Sequence, residues 1–174
     1  MNARERDALI EAPDDLLLRE VEMQFVRSSG PGGQHRNKVE TGVRLRHRAT
    51  GVSVAATERR SQHENRLQAM RRMRRALALE VRAEPAEPPA LPGDVPALGR
   101  SPRWPRLSPK SQGYWPLAAR VLDRLAADGA KLSDSAARLG VSTASLVKFL
   151  STDPGLWQKA AQLRRRAGLP ALRK

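Results

Sequence analysis

The order of apolar and polar residues changes its period along this chain. Glu22, Met23, Gln24, Phe25 and Val26 nearly alternate in polarity, which predicts a short strand. Val43 and Leu45 then alternate with Arg44 and Arg46, and Val52 and Val54 flank Ser53. Ala49-Thr50-Gly51 between these runs is turn chemistry, so the pair predicts a β-hairpin. From Ser61 the period becomes helical. Ser61-Gln62-His63-Glu64 has the form of a capping box, with Ser61 as N-cap and Glu64 at the third helical position. The helix it opens is expected to run to about Arg82, with Leu67, Met70, Leu77 and Val81 on one face and Arg66, Arg71, Arg72, Arg74 and Arg75 around the rest. A second helical region follows later. Pro116 suits a first helical position, and Leu117, Val121, Leu122 and Leu125 form a stripe before Gly129. Ser133 is expected to cap a short helix ending at Gly140, and Ser142 to cap another over Thr143 to Leu150. Asp153-Pro154 opens a last helix through Leu156, Trp157, Ala160 and Leu163, which ends in Arg164-Arg165-Arg166 before Gly168.

Proline separates the two regions. Nine of the 13 prolines lie between Pro85 and Pro116, where they deny the backbone regular helix or central strand. That stretch predicts an extended linker with polyproline character. The division expected is an acidic leader over 1–20, an α+β module over 21–82, a Pro-rich linker over 83–113 and a helical module over 114–174. The fold class expected is α+β: a small antiparallel sheet with one long packing helix, followed by the linker and a small all-helical, helix-turn-helix-like module.

Charge sharpens this division. The formal net charge is +14, and it is uneven: −4 over residues 1–22, +10 over 23–82 and +8 over 83–174. A balance this basic points to a polyanionic partner, nucleic acid before an anionic membrane surface. The chain has no cysteine, which excludes disulfides, thiolate metal sites and thiol nucleophiles. No stretch approaches the roughly 18 apolar residues of a membrane span, and no signal peptide is visible, so the cytosol is the default expectation. Aromatic residues make up only 3% of the chain, so its cores must rest on Leu, Val and Ala, with Trp104, Trp115 and Trp157 as anchors.

The candidate chemistry lies between the first two strands, in Arg27-Ser-Ser-Gly-Pro-Gly-Gly-Gln-His-Arg-Asn-Lys-Val-Glu-Thr41. Gly30, Gly32 and Gly33 fall within four residues. Adjacent glycines open φ values barred to other residues and let another backbone come close, so a bulky substrate has access to the peptide N–H of Gln34. Arg27, Arg36 and Lys38 flank the glycines as phosphate-gripping cations. Gly-Gly-Gln alone is compatible with a plain flexible turn. Gly-Lys-Ser/Thr at the spacing of a nucleotide-binding loop is absent, which disfavours nucleotide hydrolysis. Ser28, Ser29 and His35 lie close together, but no acid is placed to orient the histidine, which disfavours a Ser-His-Asp triad. His35, His47 and His63 lack the tight spacing of a zinc site, and no metal is expected.

The wider pattern is more specific. Arg27-Ser28-Ser29-Gly30, Gly32-Gly33-Gln34-His35 and Asn37-Lys38 come first, then the Val43 to Gly51 hairpin, Glu58-Arg59, Ser61-Gln62, Asn65 and Ala69. In this order and spacing, residues 24–82 closely resemble the catalytic domain of class I peptide chain release factors and their stand-alone relatives. Arg36 departs from the family pattern, which more often has a small apolar residue there. The resemblance implies hydrolysis of the peptidyl-tRNA ester at the peptidyl-transferase centre of the large ribosomal subunit, with no cofactor. Gly32, Gly33 and Gln34 would be the catalytic residues. Arg27, Ser28, Ser29, Gly30, His35, Arg36, Asn37, Lys38, Arg59, Arg60, Gln62 and Asn65 would meet rRNA or tRNA. Only about twenty residues precede the first strand, too few for a stop-codon-reading superdomain. The resemblance is therefore closer to short, codon-independent hydrolases that rescue stalled ribosomes. The partners expected are the ribosome, peptidyl-tRNA and rRNA, with a monomeric protein and no membrane. Those relatives often carry a basic tail where this chain has a linker and helices.

In the second region Ala136, Gly140, Leu146 and Phe149 fit the spacing of a helix-turn-helix, with Thr143–Leu150 as the reading helix. The same residues also suit the core of a plain helical bundle. Lys148 is the one cation on that reading helix, which is poor for sequence-specific DNA recognition and fits contact with ribosomal RNA or protein better. A non-catalytic RNA- or DNA-binding protein is the competing reading of the chain.

Overall fold

The computed structural model describes residues 1–27, 40–85, 107–111 and 113–173. Among these, the elements run α1 (Ala3–Glu11), α2 (Asp14–Arg19), β1 (Val21–Val26), β2 (Gly42–His47), β3 (Ser53–Ala56), α3 (Gln62–Glu80), α4 (Tyr114–Ala127), α5 (Leu132–Arg138), α6 (Thr143–Leu150) and α7 (Pro154–Arg166). The architecture is α+β. The expected linker falls largely on residues outside the described ones, as does Trp104.

The strands form one antiparallel sheet in the order β1-β2-β3. Phe25 pairs with Val43 and Val43 with Ala56; Met23 pairs with Leu45 and Leu45 with Val54. Paired residues share a face, so these side chains line one side of the sheet. Helix α3 lies across β2 and β3 on that side, and buries Val43, Leu45 and Ala56 against Ala69, Met70, Met73 and Leu77. Met23 and Phe25 share the face but lie on edge strand β1, and remain exposed.

The acidic first twenty residues are helical. Asn2 and Glu5 form a reciprocal capping box for α1, with Glu5 N–H donating to Asn2 Oδ1 and Asn2 N–H to Glu5 Oε2, both at 2.9 Å. Ile10 and Leu17 of α1 and α2 join the core under α3. A second core unites Tyr114, Leu117, Val121, Leu122 and Leu125 of α4 with Leu146, Phe149, Leu150 and Leu156. The two cores interlock, because Ala119 of α4 sits in the first and Leu79 of α3 in the second. Trp115 and Trp157 pack half-buried against the second core.

Several local expectations need correction. Leu67 is exposed; the buried side of α3 is carried instead by Ala69, Met70, Met73, Leu77, Ala78 and Leu79. Helix α3 ends at Glu80, and Val81 is its extended C-cap. Helix α4 starts two residues before Pro116, after Gly113 in the left-handed region (φ 78°). Lys131, not Ser133, is the N-cap residue of α5, and the Ser133 hydroxyl donates to Asp134. Ser142 and Asp153 cap α6 and α7 as expected, each accepting a backbone N–H of the first turn.

Candidate functional site: the base of the Gly-Gly-Gln loop

Hairpin loops between antiparallel strands ordinarily take about two to five residues. The connection from Val26 to Gly42 is far longer, and it contains all of the Gly-Gly-Gln motif. Ser28, Ser29, Gly30, Gly32, Gly33, Gln34, His35, Arg36, Asn37 and Lys38 lie outside the described residues. Both ends of the connection are described, and they are held by four separate devices.

The first is the strand pair itself. Val26 faces Gly42, the last pair of the β1–β2 ladder. A Cβ on Gly42 would lie 2.8 Å from Val26 Cγ2, from the Val26 carbonyl oxygen and from Thr57 Cγ2. Only glycine lets the three segments approach this closely. The second is an ion pair across the mouth, with Arg27 Nε 3.4 Å from Glu40 Oε1. Both partners are well exposed, so it guides direction more than it stabilises.

The third and fourth come from α3. Gln62 Nε2 donates to the Glu40 carbonyl at 3.1 Å. One turn on, Asn65 is fully buried. Its Nδ2 donates to the Thr41 carbonyl (2.8 Å) and to the Arg59 carbonyl (2.9 Å), while its Oδ1 accepts the Arg59 N–H (2.9 Å). One side chain thus ties the returning end of the loop to the β3–α3 connection. Asparagine suits this because it offers two donors and an acceptor without charge.

The β3–α3 connection is fixed from its other side as well. Arg72 of α3 donates to the Ala55 carbonyl and reaches Glu58 Oε1 at 2.5 Å. The hydrogen bond from Arg72 holds the Glu58 carboxyl below its ordinary range, so it stays ionised. With Glu58 and the backbone of Arg59 committed, the side chains of Arg59, Arg60 and Gln62 remain exposed at the loop end of the domain, as does Arg27.

The described members of the expected RNA-binding set are therefore brought together at one end of the sheet, with one difference in role. The resemblance implies an RNA contact at Asn65, but its amide is spent inside the protein, where it works as a strap. The sequence contained a signal for Gly42, a glycine at the first position of a strand, but nothing in its periodicity distinguishes a strap asparagine from a surface one. His47 belongs to the far end of the hairpin. It is buried, its Nδ1 lies 2.8 Å from Thr50 Oγ1 and 3.3 Å from the Thr50 N–H, and burial lowers its pKa.

Residues 13–91 match the model of the RF-1 domain, a segment that takes in α2, the sheet, the Gly-Gly-Gln connection and α3. This part of the chain is homologous to the corresponding domain of release factors. The chain is 46% identical over 81 residues to "Peptide chain release factor 1" of Acidiphilium cryptum, which covers 45% of this chain and 23% of that protein. It is 46% identical over 92 residues to "Peptide chain release factor 2" of Pseudarthrobacter chlorophenolicus, covering 51% and 25%. A similar match, 41% over 88 residues, is found to "Peptide chain release factor 2" of Thermomicrobium roseum. The chain therefore spans about a quarter of the length of these curated relatives. The match stops before α4–α7.

Proposed function

We propose that this protein hydrolyses the ester of peptidyl-tRNA on the ribosome, without reading a codon, and so frees nascent chains from stalled ribosomes in the cytosol. The observation that carries this reading is that the Gly-Gly-Gln motif occupies the β1–β2 connection of a segment homologous to the RF-1 domain. In this reaction a water oxygen attacks the peptidyl carbonyl carbon, the bond to the tRNA 3′ oxygen breaks, and the 3′ oxygen leaves as a hydroxyl with a proton from that water. The step needs stabilisation of negative charge on the carbonyl oxygen or the departing 3′ oxygen. The Gln34 N–H supplies it, since Gly32 and Gly33 leave its direction free. The Gln34 side chain orients the water. Arg27, Arg59, Arg60 and Gln62 meet rRNA or tRNA at the mouth of the loop, together with Ser28, Ser29, Gly30, His35, Arg36, Asn37 and Lys38. The protein acts as a monomer, and ribosome and tRNA complete the site.

The chain after the matched segment lies outside the RF-1 domain. Among the described residues it is spent on helices that pack back against α3, through the Arg75–Asp153 ion pair at 2.9 Å and the Lys159–Glu80 pair at 2.5 Å. Helix α3 has 19 residues and so spans about 28 Å, which separates the helices at its C-terminal half from Gln62 and Asn65 at its N-terminal end.

The test is peptide release from ribosomes carrying peptidyl-tRNA with truncated, sense and stop codons in parallel. Equal release on all three is expected. Gly33→Ala, which restricts the direction of the Gln34 N–H, should lower release on the order of 10²–10³-fold, the loss typical of a lost oxyanion interaction. Gln34→Ala, which keeps that N–H and removes the water-orienting side chain, should also lower it, while ribosome binding survives both. Native release by both variants would overturn the catalytic reading, and release confined to stop codons would overturn codon independence.

A further inference from the structure

Where the residues leading into α4 and its first turn lie against α3, they border an open cleft of about 770 Å³. Its walls come from the end of α1, from the outer side of α3 and from the residues that lead into α4. Neither the homologous segment nor the later helices make it alone. Its volume lies within the range of roughly 300–1,000 Å³ that small ligands occupy.

The lining combines two unspent cations with one aromatic ring. Arg74 builds the wall and is committed inside the protein: Nε donates to the Ile10 carbonyl (3.1 Å), and Nη2 to the Ala12 carbonyl and Asp14 (both 2.7 Å). Arg71 and Lys110 also line the cleft but are exposed, and no ion pair found among the described residues engages either. The half-buried indole of Trp115 is fixed by the Arg75 guanidinium, 5.6 Å from its ring centroid, and by Tyr114 packed edge-on at 4.9 Å. Gln68 adds an amide able to bond a base edge. Glu11 is the sole acid of the lining among the described residues, and its Oε1 lies 3.9 Å from where a Cβ on Gly113 would stand.

A rigid aromatic ring beside two free cations is the chemistry that receives a base and its phosphates. We propose that this cleft takes an unpaired nucleotide of RNA, with the base against Trp115 and the phosphates on Arg71 and Lys110. It gives the protein an RNA anchor separate from the Gly-Gly-Gln loop. The function proposed above supplies the source of that RNA on the ribosome; the binding itself does not depend on it.

The test must separate a site from the diffuse attraction of a strongly basic chain. The full chain is titrated into a fluorescently labelled oligoadenylate of about eight nucleotides, read by anisotropy across a salt series, and sedimented with large ribosomal subunits. Arg71→Glu with Lys110→Glu should weaken oligonucleotide binding at least about tenfold. It should also reduce the slope of log Kd against log salt by about 1.4, near 0.7 per lost phosphate contact on a single strand. The matched reversal Arg165→Glu with Arg166→Glu, on exposed residues of α7, should weaken it no more than about threefold. Glu11→Gln should tighten binding. Adenosine monophosphate should displace the oligonucleotide at concentrations where inorganic phosphate does not. Equal weakening by both charge reversals, or no weakening by the first, would overturn the proposal, as would equal displacement by phosphate. Gly33→Ala serves as the separating control: it is expected to lose release and keep oligonucleotide affinity, so either reading can fail without the other.

Discussion

The two ends of α3 are held in opposite ways. At its N-terminal end, Gln62 and Asn65 grip the backbone of Glu40, Thr41 and Arg59, while Met23, Phe25, Arg59 and Arg60 stay exposed around the loop. At its C-terminal end the contacts are buried and charged. Arg6 is fully buried, with Nη1 2.6 Å from Asp123 and Nη2 2.7 Å from Asp7. Asp123 also accepts from Arg82 at 3.0 Å and from the Ala83 N–H at 3.1 Å, and Arg120 reaches Asp7 at 2.6 Å. The loop end keeps polar groups at the surface. The other end spends its charges on joining α1, α3 and α4.

The comparison is broken most strongly at the closed end. Asp123→Ala leaves the buried Arg6 and the half-buried Arg82 without their shared acid, and removing one partner of such a group ordinarily costs about 3–5 kcal/mol. Chemical denaturation should show a loss of that size; a loss below about 1 kcal/mol would mean that the cluster does not hold the helices together. At the open end the expected effect is smaller and of another kind. Asn65→Ala leaves the Thr41 carbonyl and both Arg59 backbone groups without partners, a cost of about 1–3 kcal/mol. Hydrogen exchange should speed up at the Arg59 amide, and release on ribosomes should fall more than ribosome affinity. If affinity and release fell together, or the amide exchanged as before, the strap would have no positioning role.

The smallest effect concerns pH. Burial holds the His47 pKa below its usual 6.5, so the unfolded chain binds the proton more readily than the folded one. The contribution of His47 is complete above about pH 6.5 and is lost as pH falls through the lowered folded value. Stability curves measured between pH 8 and 5 should decline on the acid side, and His47→Gln should flatten part of that decline. An unchanged curve would assign it to other groups.

Much of the open end was legible in the sequence, because its signals are local. Strand alternation at Val43 and Leu45, the Ser61 cap and the Gly-Gly-Gln spacing each lie within a few residues. The capping pattern Asn2-Ala3-Arg4-Glu5 was equally local, and identifies α1 within a stretch whose acidity suggested only a leader. Leu67 shows where local pattern fails: helical spacing places it beside Met70, but the elements packed on α3 leave it exposed.

The sequence by itself determined the elements, the motif and the basic balance, since caps, periodicity and charge depend on neighbours a few positions apart. Only the tertiary structure decided that Asn65 is a strap, that Arg6 finds Asp123 across 117 positions, and that Arg71, Lys110 and Trp115 line one cleft. Such pairings rest on how helices pack, and no short-range pattern encodes which distant side chains packing will bring within bonding distance.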